Sequence, residues 1–181
     1  MSERIEVVAY RDEWPRMFSE RAKRLREALG ELAIRIDHIG STSVPWLDAK
    51  PVIDIQVSVA SFEPMDELTD RMRAAGFAYR KENPDLSKRY FRELPGEERT
   101  HVHVRRSGSW SEQMSLLFRD FLRAHPERCQ DYAALKYRLA EQYRDERALY
   151  VDAKSPFIWR RLQEAHKWSQ LTGWQAGKTD L

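Results

Sequence analysis

Residues 37–59 read Asp-His-Ile-Gly-Ser-Thr-Ser-Val-Pro-Trp-Leu-Asp-Ala-Lys-Pro-Val-Ile-Asp-Ile-Gln-Val-Ser-Val, and the rest of the chain can be laid out from them. An apolar segment ends at Gly40, and three hydroxyls follow at once in Ser41, Thr42 and Ser43. A turn through Pro45 and Pro51 carries Lys50. Beyond it Ile53, Ile55, Val57 and Val59 alternate with Val52, Asp54, Gln56 and Ser58. Alternation with period two marks a strand with one buried face. Asp54 then stands mid-strand on the face away from the isoleucines. A charge suits that position when the face lines a cleft.

Upstream, residues 5–9 read as a short opening strand. Asp12 is the expected N-cap of a helix whose inward face is Trp14, Met17, Phe18, Ala22, Leu25 and Leu29, stopped by Gly30. Residues 33–39 form the next strand. After the Asp54 strand, Pro64 precedes a helix buried through Met65, Leu68, Met72 and Ala75. Strands are then expected at 77–81, 88–93 and 99–106, the last two joined by a Pro95-Gly96 turn. In the last strand Thr100, Val102 and Val104 share one face, and His101, His103 and Arg105 share the other.

From Ser109 onward the pattern is helical. One stripe, Met114 to Leu122, stops at His125-Pro126; a second runs from Tyr132 to Tyr143. Ser155-Pro156 is expected to cap or kink a third helix that buries Phe157, Ile158, Leu162, Ala165 and Trp168. Residues 173–181 read as a frayed tail. The order of elements gives an α+β chain with a single domain at 1–172, sheet-rich to 108 and helical from 109 to 172.

Composition narrows the function classes. A chain of 181 residues, 41% hydrophobic and 33% charged, has enough apolar material for one soluble core. A net charge of +2 is too small to favour nucleic acid. The six tryptophans look scattered rather than gathered into a stacking platform. The lone Cys129 has no partner for an internal disulfide, residues 1–10 lack a signal-peptide pattern, and no stretch is long and apolar enough to span a membrane. A reducing cytoplasmic setting is expected, with no membrane partner. The oligomeric state has no signature in the sequence.

Two constellations carry chemistry. Gly40, Ser41, Thr42 and Ser43 can cradle a phosphate, because glycine permits close backbone approach and successive N–H groups attract anions. The same residues also suit a plain hydroxyl-capped turn. Neither the Gly-x4-Gly-Lys loop nor the Gly-x-Gly-x-x-Gly fingerprint is present. His101 and His103, two apart on a strand, point the same way, and together with Asp54 they would make a two-His, one-carboxylate set. Many such histidine pairs only face solvent. Lys50, Arg89, Arg99 and Arg105 are candidate partners for phosphate, Lys50 foremost because it lies between the hydroxyl turn and the Asp54 strand. His38 is placed to orient the turn through a hydrogen bond.

The string from His38 to Pro45, followed by Ala49-Lys-Pro-Val-Ile-Asp-Ile55, resembles the signature of the GrpB family. Further matches are Trp14-Pro15, His101-Val-His103, 117–123, Tyr132 with Lys136, and Tyr150 with Lys154 and Phe157. That family is similar to the polymerase-β-like nucleotidyltransferases, and a related domain is fused to dephospho-CoA kinase. The resemblance implies a nucleotidyltransferase-like mixed sheet with flanking helices and a C-terminal helical segment. It implies a Gly-Ser motif at Gly40 and Ser41 that holds triphosphate, and metal-binding carboxylates of which Asp54 matches the first. The second position is Gln56, and the strand expected to hold the third offers His101 and His103 in place of an acid. Trp46 stands where the family usually carries glycine, which implies a reshaped loop.

Two functions follow as expectations. The first is a transferase acting on a nucleotide or other phosphorylated small molecule: Ser41 and Ser43 hold phosphate with Gly40, Thr42, Lys50 and Arg99, and Asp54, His101 and His103 serve as metal ligands or acid–base groups. Its cofactor is a divalent ion, Mg²⁺, Mn²⁺ or Zn²⁺. The alternative is a non-catalytic binding or accessory module with a degenerate metal site. Gln56, Lys136 and Lys154 stand as outside candidates, the two lysines because a helix can lean them over the cleft.

Overall fold

Strand β2 (Ile53–Val59) organises the structure, as the central pairing partner for elements on either side of it in the chain. The computed structural model describes residues 4–181. Strands β1 (Arg35–Ile39), β2, β3 (Phe77–Tyr79), β4 (Lys88–Glu93) and β5 (Thr100–Arg106) form one sheet in the order β1-β2-β5-β4-β3. Only β2 and β5 run parallel; the other three pairings are antiparallel. A mixed sheet with flanking helices was expected, and this is one.

The two faces of the sheet have different chemistry. Ile53, Ile55, Val57 and Val59 join Val102, Val104 and Phe91 against α1 (Trp14–Leu29) and α2 (Met65–Ala74). The helices supply Trp14, Phe18, Leu25, Leu29, Leu68 and Met72, which recur at helical spacing. This layer is the main core. The opposite face carries Asp54, Gln56 and Ser58 in register with His101, His103 and Arg105. Over it lie α3 (Trp110–Ala124), α4 (Pro126–Gln142) and α5 (Arg147–Thr172), whose own apolar cluster includes Phe121, Leu122, Tyr132 and Ala165.

Several sequence expectations need correction. The opening strand at 5–9 is reduced to one bridge, Val8 to Ala49, because the Ile5 N–H donates instead to the Arg144 carbonyl. Glu13, not Asp12, occupies the N-cap of α1, and no side chain caps it. Of the two roles expected for Pro156, capping is excluded, because it lies inside the 26-residue α5. A proline there forfeits one helical hydrogen bond. Packing of its neighbours holds the helix together, Phe157 stacking on Tyr132 with centroids 5.1 Å apart.

The segment after Gly173, expected as a frayed tail, lies along β1. Thr179 Oγ1 accepts from the Ile36 N–H and donates to the Ile36 carbonyl, at 2.9 and 3.0 Å. Asp180 Oδ2 accepts from the His38 N–H at 2.9 Å and from Arg119 at 3.0 Å. These bonds satisfy the outer edge of β1, which would otherwise present unpaired backbone groups.

Candidate functional site

The register of β2 on β5 sets Asp54 directly opposite His101 and places His103 opposite Gln56. Asp54 Oδ1 lies 3.3 Å from His101 Nδ1 and 3.2 Å from His103 Nε2. One ligand atom from each of the three residues falls within 4.8 Å of the others. Burial opposes the charge on Asp54, but the hydrogen bonds from His101 and His103 outweigh it and hold the carboxyl well below the usual range. Burial lowers His103 to about 4 against the pull of Asp54, so its imidazole is neutral at pH 7. A carboxylate this acidic is a weak proton acceptor. Its chemistry suits coordination and charge more readily than the general-base role that was the other expectation.

Gly40 makes this arrangement fit. Its φ and ψ are 70° and −176°, a region open in practice only to glycine. A Cβ there would stand 2.7 Å from Asp54 Oδ2. The end of β1 therefore passes against the carboxylate with no room for a side chain.

The hydroxyl turn divides its three groups. Ser43 is buried and donates to the Gly40 carbonyl at 2.6 Å; it does not line the cavity, which corrects its expected phosphate role. Thr42 donates to the Val52 carbonyl at 3.2 Å. With its one hydrogen spent, Thr42 accepts from His38 Nε2–H at 3.0 Å, the bond expected of His38. Burial lowers His38 to about 3, keeping it neutral, and its ring stacks on Phe18 at 4.7 Å. Ser41 alone keeps its hydroxyl toward the cavity, where it meets the Tyr132 phenol.

The cavity holds about 520 Å³ and lies between the polar face of the sheet, the hydroxyl turn and helices α3 to α5. Lys50, Lys88, Lys136, Arg147 and Lys154 line it, and Asp54 is the one carboxylate among its described lining residues. Lys136 is 2% exposed, donates to the Asp48 carbonyl and sits 4.4 Å from the Tyr132 ring centroid. Burial first, and then the charge of Lys154, lower it to about 7. Burial and Lys50 lower Lys154 to about 8. Lys50 and Lys154 stand 5.3 and 4.5 Å from the Tyr150 ring.

Other expected residues are elsewhere. Gln56 is fully buried beneath the site, accepting from Arg105 at 2.7 Å and donating to the Glu112 carbonyl at 3.4 Å. That pairing also removes Arg105 from the anion candidates. Arg99 immediately precedes β5 and does not line the cavity, and Arg89 lies over Phe62 at 4.2 Å. Lys88, Tyr90 and Arg147 were missed. Lys88 and Tyr90 do alternate on one strand, but only the register of β4 on β5 shows that they face the histidines.

The Asp54, His101 and His103 set fits a single borderline transition ion such as Mn²⁺ or Zn²⁺ better than Mg²⁺, which prefers oxygen ligands throughout. Three donors on two paired strands leave positions open for a ligand. On residues of α3 and α5 other than those lining the cavity, Trp110 and Trp159, with Trp174, line a second, apolar groove. Half of the tryptophans are thus gathered in one place, contrary to the scattered reading.

The GrpB protein family profile matches residues 4–164, and the chain belongs to that family. It is 36% identical over 167 residues to UPF0157 protein YqkA of Bacillus subtilis, covering 92% of this chain and 49% of the relative. It is 34% identical over 189 residues to a dephospho-CoA kinase of Mycolicibacterium paratuberculosis, covering 90% of this chain and 46% of that protein. The chain thus spans about half the length of these two relatives. The crystal structure of conserved protein GrpB from Enterococcus faecalis superposes with a TM-score of 0.82 at 35% identity, covering 90% of this chain and 98% of that one. The fold is therefore that of GrpB. No helix among the described residues is long and apolar enough to cross a membrane.

Proposed function

We propose that the cavity takes up a phosphorylated small molecule of roughly nucleotide size and that the protein acts on it as a nucleotidyl or phosphoryl transferase. The observation that carries this reading is the charge of the walls: five cationic side chains face one carboxylate. Lysines that desolvation and one another's charge already lower, as at Lys136 and Lys154, are stabilised by an anion beside them. About 520 Å³ falls within the usual range for small-molecule sites. The likeness to proteins named dephospho-CoA kinase makes CoA precursors early candidates.

In this reading Asp54, His101 and His103 hold one divalent transition ion, which when bound would polarise a phosphoryl oxygen. Gly40 and Ser41 bring backbone and hydroxyl to the phosphate. Lys50, Lys136 and Lys154 neutralise it, and the aromatic walls from Tyr90, Phe118 and Tyr132 exclude water. A second reading, a binding module without turnover, is favoured by one specific feature. Gln56 occupies the position of a second carboxylate and is tied to Arg105.

A thermal-shift panel separates the two. Nucleotides, CoA precursors and phosphosugars are each run with EDTA, Mg²⁺, Mn²⁺ or Zn²⁺, on wild type and Asp54→Asn. A ligand at 100 times its Kd stabilises by about 2.7 kcal/mol. Stabilisation that needs metal and disappears in Asp54→Asn supports the transferase, and product analysis follows. Shifts that persist in EDTA and ignore the substitution support the module. If no phosphorylated compound shifts the wild type, both readings fall.

A further inference from the structure

Tyr150 is fully buried and lines the cavity, yet its hydroxyl has no hydrogen-bond partner among the described residues. Leaving a buried donor unpaired costs about 1–3 kcal/mol, and phenylalanine would fill the same space without that cost. Packing thus explains the ring and leaves the oxygen unexplained. The ring's own work is visible: the ammonium groups of Lys50 and Lys154 both lie over it. The phenol is near enough to Tyr132 to raise that group's pKa, and Tyr132 in turn meets Ser41. Burial pushes Tyr150 itself up to about 12, so it remains a donor at neutral pH.

We infer that Tyr150, Lys50 and Lys154 form an anion subsite in which the Tyr150 hydroxyl donates to a phosphate oxygen, and that the ligand carries a diphosphate or longer group. This rests on the proposed phosphorylated ligand and adds its charge class. With Lys136 close by, three amines converge on this end of the cavity. Lys50 and Lys154, joined by Lys136 once a nearby anion restores its full charge, offer up to three positive charges, which a diphosphate matches and a lone phosphate does not. Ser41, Tyr132 and Tyr150 add hydroxyls with no charge of their own.

The test is calorimetric titration of wild type, Tyr150→Phe and Lys154→Met with inorganic pyrophosphate and with inorganic phosphate, in EDTA and again with Mn²⁺. Wild type is expected to bind pyrophosphate at least about tenfold more tightly than phosphate. Tyr150→Phe is expected to weaken pyrophosphate binding about tenfold while its ligand-free melting temperature holds or rises. Lys154→Met weakens it too. Equal affinity in wild type and Tyr150→Phe overturns the inference, as does a lower ligand-free melting temperature with binding unchanged. Wild type that binds a nucleoside monophosphate but not pyrophosphate also overturns it, while leaving the broader reading of a phosphorylated ligand intact.

Discussion

Gly40 and Asp54 are in direct contact across the β1–β2 pair: a Cβ on Gly40 would stand 2.7 Å from Asp54 Oδ2, and its φ of 70° combined with a ψ of −176° is a backbone region open in practice only to glycine. Gly40→Ala therefore meets two penalties, backbone strain and a collision with a carboxylate held between two imidazoles. Their sum is about 3 kcal/mol. Urea unfolding of the variant should show a loss of that order, about 6–12 °C in melting temperature for a chain of this length. A loss under about 1 kcal/mol would mean that Asp54 swings aside freely, and the close approach would have no structural weight.

The donor set makes a prediction about ion choice. Two imidazoles and one carboxylate favour Zn²⁺ or Mn²⁺ over Mg²⁺. At 100 times its Kd the favoured ion adds about 2.7 kcal/mol, which EDTA should remove in full. His103→Gln should lose most of that gain and leave the EDTA melting temperature nearly unchanged. Stabilisation by Mg²⁺ matching that by Zn²⁺ would place the ion on oxygen ligands elsewhere.

How much of this was readable beforehand depends on whether a residue's role is local. The alternation through Ile53, Asp54 and Ile55 and that through His101, Val102 and His103 assign faces without any knowledge of partners, and both assignments hold. The meeting of Asp54 with His101 depends on a register between segments about 45 residues apart, which no local pattern encodes. The family resemblance brought those segments together; periodicity did not. Ser43 was misread because a hydroxyl turned inward onto the Gly40 carbonyl leaves the same sequence as one turned outward. Arg99 has the right parity to join His101 and His103, but it lies one residue before the strand begins. Trp46, expected to reshape its loop, keeps a glycine-like φ of 62° and sends an 80% exposed indole outward, so the strain is absorbed locally. The segment 173–181 looked frayed because short polar tails usually are. Here Thr179 and Asp180 are the groups that β1 needs at its edge.

His38 gives the protein a defined sensitivity to acid. Burial lowers it to about 3, against about 6.5 in the unfolded chain. Between those values the unfolded state binds the extra proton, so stability falls as the pH falls from 6.5. The slope is ~1.4 kcal/mol per pH unit from this one residue. Asp54, whose pKa is depressed, adds to the loss only below about pH 4. His38→Gln can still donate to Thr42 and has nothing to titrate. In EDTA, urea unfolding at pH 7.5, 6 and 5 should show a shallower decline for the variant by that slope. Parallel curves would mean that His38 takes up its proton within the folded protein.

Lys136 shows the opposite side of the same trade. It is buried, lowered to about 7 by desolvation and by Lys154, and anchored on the Asp48 carbonyl. Between pH 7 and its unfolded value near 10.4 the unfolded chain holds more protons, so this residue's contribution to stability rises with pH. Lys136→Met keeps the stem and deletes the ammonium. The variant should be more stable at pH 7 by about 1–3 kcal/mol, the saved desolvation exceeding one lost hydrogen bond. Its stability should rise less than wild type's between pH 7 and 9.5. The same change should weaken pyrophosphate binding about tenfold. Gain of fold with loss of anion affinity is the signature of a residue kept for its ligand. A less stable variant that retains affinity would instead make Lys136 a strut between α4 and the loop at Asp48, and the cavity would have one cation fewer to offer.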